Sequence, residues 1–207
     1  MDVWREMRPT TRRLVEHALD AGIAATPPVH KPAALTRQRT TPYDAPAEAE
    51  LSRLLRALDE HLAESNNRPA GALDPQQQAD LRQVVGTCAT VLETAAQSAE
   101  SFAQLILRAL NSYNYKAVDS LADSLLAQLP PSEMCELARH AHPAVRAVAV
   151  EVLAQVPVSL LVELLADPVD AEQARDALER QAQDYGSEEA RWVIEAIEMT
   201  DIGEMDG

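Results

Sequence analysis

Aromatic residues and glycine are scarce in this chain of 207 residues. Phe, Trp and Tyr together make up 3% of the sequence and there are six glycines, whereas hydrophobic residues as a whole make up 46%. The apolar residues are therefore mostly Ala, Leu and Val, which favours closely packed helices over twisted sheets. This hydrophobic fraction also excludes disorder of the whole chain. The composition predicts an all-α protein.

Motifs that bring cofactors or catalysis are also missing. The sequence has no Gly-rich phosphate loop, no G-x-S-x-G, no H-E-x-x-H and no paired C-x-x-C. Its two cysteines, Cys88 and Cys135, both fall within apolar helical patterns, so we expect buried thiols rather than a disulfide or metal ligands. We therefore expect no cofactor, no metal ion and no enzyme activity.

Long apolar runs are absent as well. The start of the chain has no apolar core of signal-peptide length, and no stretch approaches the roughly 20 apolar residues that a membrane span requires. The expectation that follows is a cytoplasmic protein without a membrane partner.

Positive charge is concentrated at the N-terminus. Residues 1–40 contain seven Arg or Lys and four Asp or Glu, whereas residues 41–207 contain eleven and 29, and the whole chain carries a formal charge of -15. Binding to nucleic acid depends on cationic side chains that displace counterions, so this acidic body should repel it. We expect protein partners with basic surfaces and no nucleic acid; the sequence leaves the oligomeric state open.

Proline and polar clusters divide the chain into four segments. Residues 1–46 combine a basic helix with a Pro-rich extended arm. A leucine stripe over 47–64, and a periodic run that Asp74-Pro75 opens, predict a long antiparallel helical hairpin over residues 47–112. Short helices follow over 113–199, and residues 200–207 form an acidic tail.

The periodic run predicts one long helix or two nearly collinear helices, because its apolar positions recur at alternating steps of three and four. These positions are Leu81, Val84, Cys88, Val91, Ala95, Ser98, Phe102, Leu105 and Ala109. Several are small and bury little area, so we expect the seam to be covered by helices of the same chain. A dimerising coiled coil is the alternative.

From Tyr115 onward, prolines and tight polar turns separate six predicted helices. They span 115–128, 131–140, 142–155, 157–166, 170–184 and 187–199. Helices joined by such short turns lie antiparallel to their neighbours. Residues 136–153 also resemble residues 163–178, with a period of about 25 to 27 residues, which is typical of stacked repeats.

One helix carries a family resemblance. The segment from His142-Pro143 through Val145-Arg146 and alternating alanines to Leu153 resembles the second helix of a HEAT-like repeat. The resemblance covers about residues 115–199 and implies an α-solenoid of helical pairs that serves as a scaffold for proteins or peptides. It also implies a structural role for Arg146. The predicted fold is therefore an antiparallel helical hairpin followed by short HEAT-like helical repeats.

Candidate partner-binding residues lie in the N-terminal arm. They are Trp4, Met7, Arg8, Arg12 and Arg13, which would place an apolar stripe and basic side chains on one amphipathic helix. Such a helix can dock into the groove of another protein. Two alternatives are a membrane-surface element and packing of the arm onto the acidic body of the same chain.

Other polar and aromatic residues are weaker candidates. His140 and His142 flank a turn, and residues two apart at a turn diverge, so we interpret them as cap or solvent-facing histidines rather than zinc ligands. Trp192 is expected to be the apolar cap of the last helix rather than a ligand platform. Carboxylate pairs are expected on exposed faces, where they could form an acidic stripe; they are Asp119 with Asp123, Asp170 with Glu172, and Glu188 with Glu189.

These features favour a non-catalytic scaffold or adaptor for protein–protein interaction, such as a small subunit of a larger assembly. One alternative is a HEAT-like protein that acts on nucleic acid, which would need a basic, aromatic-lined concave face. Another is a cofactor lyase or chaperone, which would need a dry pocket with a nucleophile or an acid.

Overall fold

The computed structural model describes residues 44–67 and 74–205, together with Pro9, and describes side chains at 44–65 and 74–199. Within these residues the chain is all-helical, as the composition predicts, and contains no β-strand. We number the helices α1 (Ala45–Asn67), α2 (Pro75–Ala95), α3 (Ala99–Asn111), α4 (Tyr115–Gln128), α5 (Pro131–Ala138), α6 (Pro143–Leu153), α7 (Val158–Leu164), α8 (Ala171–Gln183) and α9 (Glu188–Met205). None of these described helices combines the length and the apolar character needed to cross a bilayer.

The chain divides into two compact units, Met1–Ala96 and Gln97–Gly207. In the first unit, α1 packs against α2. The predicted leucine stripe supplies the buried side of α1 through Leu51, Leu54 and Leu55. Asp74 starts α2 with a capping box, since its Oδ1 accepts the Gln77 amide at 2.8 Å and Gln77 Oε1 accepts the Asp74 amide at 3.2 Å.

The second unit contains α3 to α9, and its helices contact one another in a regular order. α3 packs against α4, α5 against α6, α7 against α8, and α8 also against α9. In addition, the odd-numbered helices contact each other in sequence, α3 with α5, α5 with α7 and α7 with α9. The even-numbered helices do the same, α4 with α6 and α6 with α8. The core of this unit is built mainly from Leu, Val, Ala and Ile, together with Met134, Cys135 and the fully buried Phe102.

The periodic run from Leu81 to Ala109 forms two helices rather than one. Ala96 has φ -61° and ψ 141°, and Ser98 has φ -112° and ψ 146°, so both residues have extended backbone. Ser98 then caps α3, because its hydroxyl accepts the Ser101 amide at 3.4 Å. α3 therefore belongs to the second unit, whereas the sequence-based division after residue 112 places it with the hairpin.

The buried side of α2 differs from the predicted seam by one position. Cys88 is buried as expected, but Ala95 is exposed and Leu81, Val84 and Val91 are only half-buried. The buried residues are Val85, Cys88, Ala89 and Leu92. A helix advances 100° per residue, so adjacent apolar positions compete for the centre of a buried face, and packing against α1 decides between them.

The six helices predicted from Tyr115 onward are all present. α4 has the predicted bounds, and the next four helices begin and end within two residues of theirs. α9 begins one residue later than predicted and continues six residues beyond its predicted end, into the segment predicted as an acidic tail. Prolines and side-chain caps set these ends. Pro131 and Pro143 occupy first-turn positions, and Asn114 caps α4 by accepting the Ala117 amide at 3.2 Å.

Candidate functional site

The five residues that the sequence predicts for partner binding lie outside the described residues. These are Trp4, Met7, Arg8, Arg12 and Arg13. In the described part of the chain, the candidate surfaces are formed by side chains of α1 to α9 and of the turns between them.

Aromatic side chains are placed mainly on the surface of the second unit. Phe102 is fully buried, but Tyr113 is 79% exposed, Tyr115 63%, Tyr185 53% and Trp192 67%. Large aromatic residues usually bury most of their area, and exposed ones are enriched at protein interfaces. The core is thus made almost entirely of aliphatic residues, while most of the aromatic side chains of this unit are exposed.

The prediction that Trp192 is an apolar cap is wrong. Ala190 lies on the inner side of α9 and is fully buried, and Val193, Ile194 and Ile197 are half-buried on the same side. Trp192 lies on the opposite side at 100° per residue. Met199 is seven residues, or about two turns, further along that outward side and is 77% exposed.

Acidic side chains border this outward side of α9. Glu188, Glu189 and Glu195 are exposed and lie within about 60° of Trp192 around the helix axis, given 100° per residue. Arg191 is exposed further round the helix. We call Trp192, Met199 and these three glutamates the outer face of α9.

Tyr113 and Tyr115 occupy the turn between α3 and α4. Tyr113 has φ 55°, the left-handed region that residues other than glycine rarely adopt. The turn is a Schellman motif, since the Asn114 amide donates to Ala109 O at 2.9 Å and the Tyr113 amide donates to Leu110 O at 2.9 Å. A glycine is usual at this position, so Tyr113 keeps its ring in solvent at a cost in backbone strain.

The turn between α5 and α6 is held together by hydrogen bonds of Arg146, His142 and His140. Arg146 Nη1 donates to His140 O at 2.9 Å and to Ala141 O at 2.8 Å. His142 caps α6, because its Nδ1 accepts the Ala144 amide at 3.3 Å. His140 Nδ1 in turn accepts the His142 amide at 3.1 Å. The interpretation of His142 as a cap is confirmed.

The described residues contain no group of three or more His, Cys, Asp or Glu side chains placed to hold a metal ion. The Nδ1 atoms of His140 and His142 both accept backbone amides, as given above. These two rings therefore serve the backbone of the turn.

A partly buried ion pair joins consecutive helix pairs. Arg139 Nη1 lies 2.8 Å from Asp170 Oδ1 and also donates to Val169 O at 2.9 Å and to Gln173 Oε1 at 2.8 Å. The Asp170 side chain is only 6% exposed. The prediction that Asp170 and Glu172 share an exposed face is therefore wrong for Asp170, because its carboxylate is desolvated by the Arg139 contact.

Cys135 lies beside this ion pair and is fully buried, as expected from its pattern. Burial and the neighbouring Asp170 carboxylate raise the pKa of the Cys135 thiol to about 11. A reactive cysteine needs a lowered pKa and access to solvent. Cys135 instead has a raised pKa and no exposure to solvent.

A second polar cluster joins α6 to the end of α8. Arg180 Nη1 lies 3.4 Å from Glu151 Oε2, and the Tyr185 hydroxyl donates a short hydrogen bond to Glu151 Oε1. This hydrogen bond raises the pKa of Tyr185. Below it, Gln181 Nε2 donates to Val156 O at 2.7 Å in a buried contact. The cluster ties neighbouring helix pairs together on the exposed side of the unit.

A shallow, open depression lies between α5, α6 and α8 and encloses about 320 Å³, including open solvent. Its lining residues are Ala138, Val150, Leu153, Gln173, Asp176 and Ala177. The pKa of Asp176 is raised, mainly by partial burial and to a smaller extent by the neighbouring carboxylates of Glu179 and Glu172. Asp176 is the one ionisable side chain in this lining, and general acid–base chemistry usually pairs two such groups.

The surface of the second unit is strongly acidic. Residues 97–199 contain 17 Asp and Glu against seven Lys and Arg. Arg139 and Arg180 are engaged in ion pairs and Arg146 caps a turn, so few cations remain to balance the exposed carboxylates. Comparison with known proteins finds no family model, no curated protein and no solved structure that matches the chain.

Proposed function

We propose that this chain is a non-catalytic protein–protein interaction scaffold or adaptor, such as a small subunit of a larger assembly. The observation that carries the proposal is the placement of aromatic residues. Among the described residues of the second unit, four aromatic side chains are more than half exposed, and only one aromatic side chain, Phe102, lies in the core. Exposed Tyr and Trp supply large contact area at low conformational cost and commonly dominate binding energy at interfaces.

The second unit is, in this proposal, a short α-solenoid of HEAT-like helical pairs. Three observations support it. The odd-numbered and the even-numbered helices each contact one another in chain order. The related segments 136–153 and 163–178 each run from the end of one helix through a turn into the next helix, from α5 into α6 and from α7 into α8. Arg146 holds the turn within its pair, and the Arg139–Asp170 ion pair links one pair to the next.

Charge selects the class of partner. The excess of carboxylates on the second unit attracts basic protein surfaces and accelerates their approach, and the same charge opposes nucleic acid and anionic lipid. The basic N-terminal arm, residues 1–46, adds a second docking element of opposite charge. Two surfaces of opposite sign on one chain suit an adaptor that holds two different partners.

Affinity capture from the native host, followed by quantitative mass spectrometry, tests this function. We expect the full-length chain to retain one or more proteins at stoichiometric levels, with basic segments enriched among them. Partners of the acidic unit should dissociate as NaCl rises from 0.1 to 0.5 M, because the Debye length falls from about 10 Å towards 4 Å.

Deletion of residues 1–46 provides the matched comparison. Partners of the arm should be lost from the deleted chain and partners of the helical unit retained. The proposal fails if the full-length chain retains no protein above a charge-matched control, or if purified chain turns over a small molecule.

A further inference from the structure

We propose that the outer face of α9 binds a basic amphipathic helix of a partner protein. The inference rests on the proposed scaffold function and assigns to it a surface and the chemistry of its ligand. The surface consists of Trp192 and Met199 bordered by Glu188, Glu189 and Glu195.

α9 has apolar residues on two opposite sides. Ala190, Val193, Ile194 and Ile197 face α7 and α8, which pack against this helix. Trp192 and Met199 face away and are 67% and 77% exposed. A surface helix normally has one apolar stripe and a polar opposite side. A second apolar stripe on the exposed side of α9 is suited to a further helix packed against it.

The spacing of the outer face fits a helical ligand. Trp192 and Met199 are seven residues apart, so their positions are about 10 Å apart along the axis at 1.5 Å per residue. A partner helix with apolar residues at positions i, i+3 or i+4, and i+7 spans the same distance. About three turns of such a helix would cover both side chains.

The bordering charges decide which helix binds. Glu188, Glu189 and Glu195 line both sides of the apolar residues, and Arg191 is the nearest exposed cation on the helix. Two copies of α9 placed face to face would bring these glutamates together, which disfavours self-association. Lys or Arg side chains on either side of an apolar stripe would pair with them instead.

Fluorescence of Trp192 reports directly on this face. Trp4→Phe leaves Trp192 as the one tryptophan of the full-length chain. The probe is an 18-residue peptide of Leu and Lys with the leucines at positions a and d of the heptad. We expect a saturable blue shift of the emission and reduced quenching by acrylamide, because a partner helix removes the ring from water.

Two control peptides test whether binding depends on the amphipathic pattern and on the positive charge of the peptide. One has the same composition with the leucines distributed around the helix, and the other carries Glu in place of Lys. Neither should shift the emission. An equal shift with either peptide, or no shift with the basic amphipathic peptide, overturns the proposal.

Substitutions within the outer face localise the binding. Met199→Ser and Glu195→Lys should each weaken peptide binding, Met199→Ser by about tenfold and Glu195→Lys by about threefold or more. Asp119→Lys is the matched control, because it makes the same charge change at an exposed position of α4. Equal weakening by Asp119→Lys would show that the peptide responds only to net charge, and it would overturn the assignment.

The final experiment separates failure of this surface from failure of the proposed function. The host proteins captured by the wild-type chain are compared with those captured by Trp192→Ser/Met199→Ser, whose far-UV circular dichroism should be unchanged because both side chains are exposed. Loss of a partner with a basic amphipathic helix supports the outer face. Full retention of every partner refutes it and leaves the scaffold function standing, and a blue shift that depends on protein concentration without peptide assigns the face to a second copy.

Discussion

Two residues of the second unit lie in unfavourable environments. The backbone of Tyr113 is strained, and the thiol of Cys135 has a raised pKa; each leads to a testable prediction. Tyr113 has a positive φ in a turn where glycine is favoured, and Cys135 is a thiol surrounded by apolar atoms and a carboxylate. The strain at Tyr113 comes from the local Schellman turn, whereas the raised pKa of Cys135 comes from tertiary packing. The residue types alone do not reveal them.

Tyr113→Gly should stabilise the protein. Glycine adopts the left-handed conformation without the penalty of a Cβ, which costs other residues about 1 kcal/mol. The gain in the free energy of unfolding should be about 0.5 kcal/mol or more, measured by urea denaturation, since the greater freedom of glycine in the unfolded chain offsets part of it. The same variant should retain less partner if the exposed ring contributes to binding.

Ser112→Gly is the control for that measurement. Ser112 precedes Tyr113, has φ -93° and donates from its hydroxyl to Arg108 O at 2.9 Å. Glycine relieves no strain there, so this substitution should destabilise the protein. Destabilisation by both substitutions would contradict a strained Tyr113.

Cys135 should make the protein less stable at alkaline pH. Its pKa is raised from 9.0 to about 11, so the folded state holds a proton that the unfolded state has already lost above pH 9. The contribution to stability is complete below pH 9 and falls by about 1.4 kcal/mol per pH unit up to pH 11. Urea denaturation at pH 8 to 10.5 should show a steeper decline for the wild type than for Cys135→Ala; parallel declines would contradict the raised pKa.

At the scale of elements, the contact between α5 and the start of α8 includes the Arg139–Asp170 ion pair. Arg139→Ala leaves the Asp170 carboxylate desolvated without its cation, which should cost about 1–3 kcal/mol in the free energy of unfolding. The cost is smaller than for a fully buried pair because the Arg139 side chain is 34% exposed to solvent. A double-mutant cycle with Asp170→Ala should give a coupling energy well above that of a surface pair.

Arg56→Ala is the comparison for this cycle. Arg56 lies 3.8 Å from Glu60 on α1, and both side chains are about 70% exposed. Its loss should change stability by less than about 0.5 kcal/mol. Equal effects of Arg56→Ala and Arg139→Ala would mean that Asp170 is solvated.

The sequence predicted the short helices well because their ends carry local signals. Pro131, Pro143 and the cap at Asn114 act within a few residues, so no distant contact is needed to recognise them. The sequence left open whether the run from Leu81 to Ala109 forms one helix or two, because the apolar spacing continues through the break at Ala96–Ser98. Ser98 as an N-cap was the available signal, but a serine within a periodic run is equally compatible with a continuous helix.

The candidate surface was less predictable than the fold. The acidic character of the body follows from counting charges, but the outward position of Trp192 depends on which side of α9 packs against α7 and α8. Ala190, Ile194 and Ile197 made an equally good stripe, and an isolated tryptophan in such a helix is usually buried. Asp170 shows the same difficulty, because its partner Arg139 is 31 residues away in the sequence.

At the scale of the whole molecule, the division into two units predicts that residues 97–207 fold without the rest of the chain. The contacts of α3 to α9 described above are all made within this unit, and its buried residues form their own core. The isolated segment should be helical by far-UV circular dichroism and unfold cooperatively in urea. An unfolded or non-cooperative segment would show that the unit depends on residues 1–96.

Glu133 makes the first helix of the second unit depend on a later part of the chain. Its Oε2 accepts the Ala99 amide at 2.8 Å, so the opening turn of α3 is completed by a carboxylate on α5, 34 residues downstream. During translation, α3 leaves the ribosome before Glu133 has been added or exposed. We therefore expect the first residues of the nascent α3 to fray until α5 emerges, so that synthesis from the N-terminus delays completion of this helix.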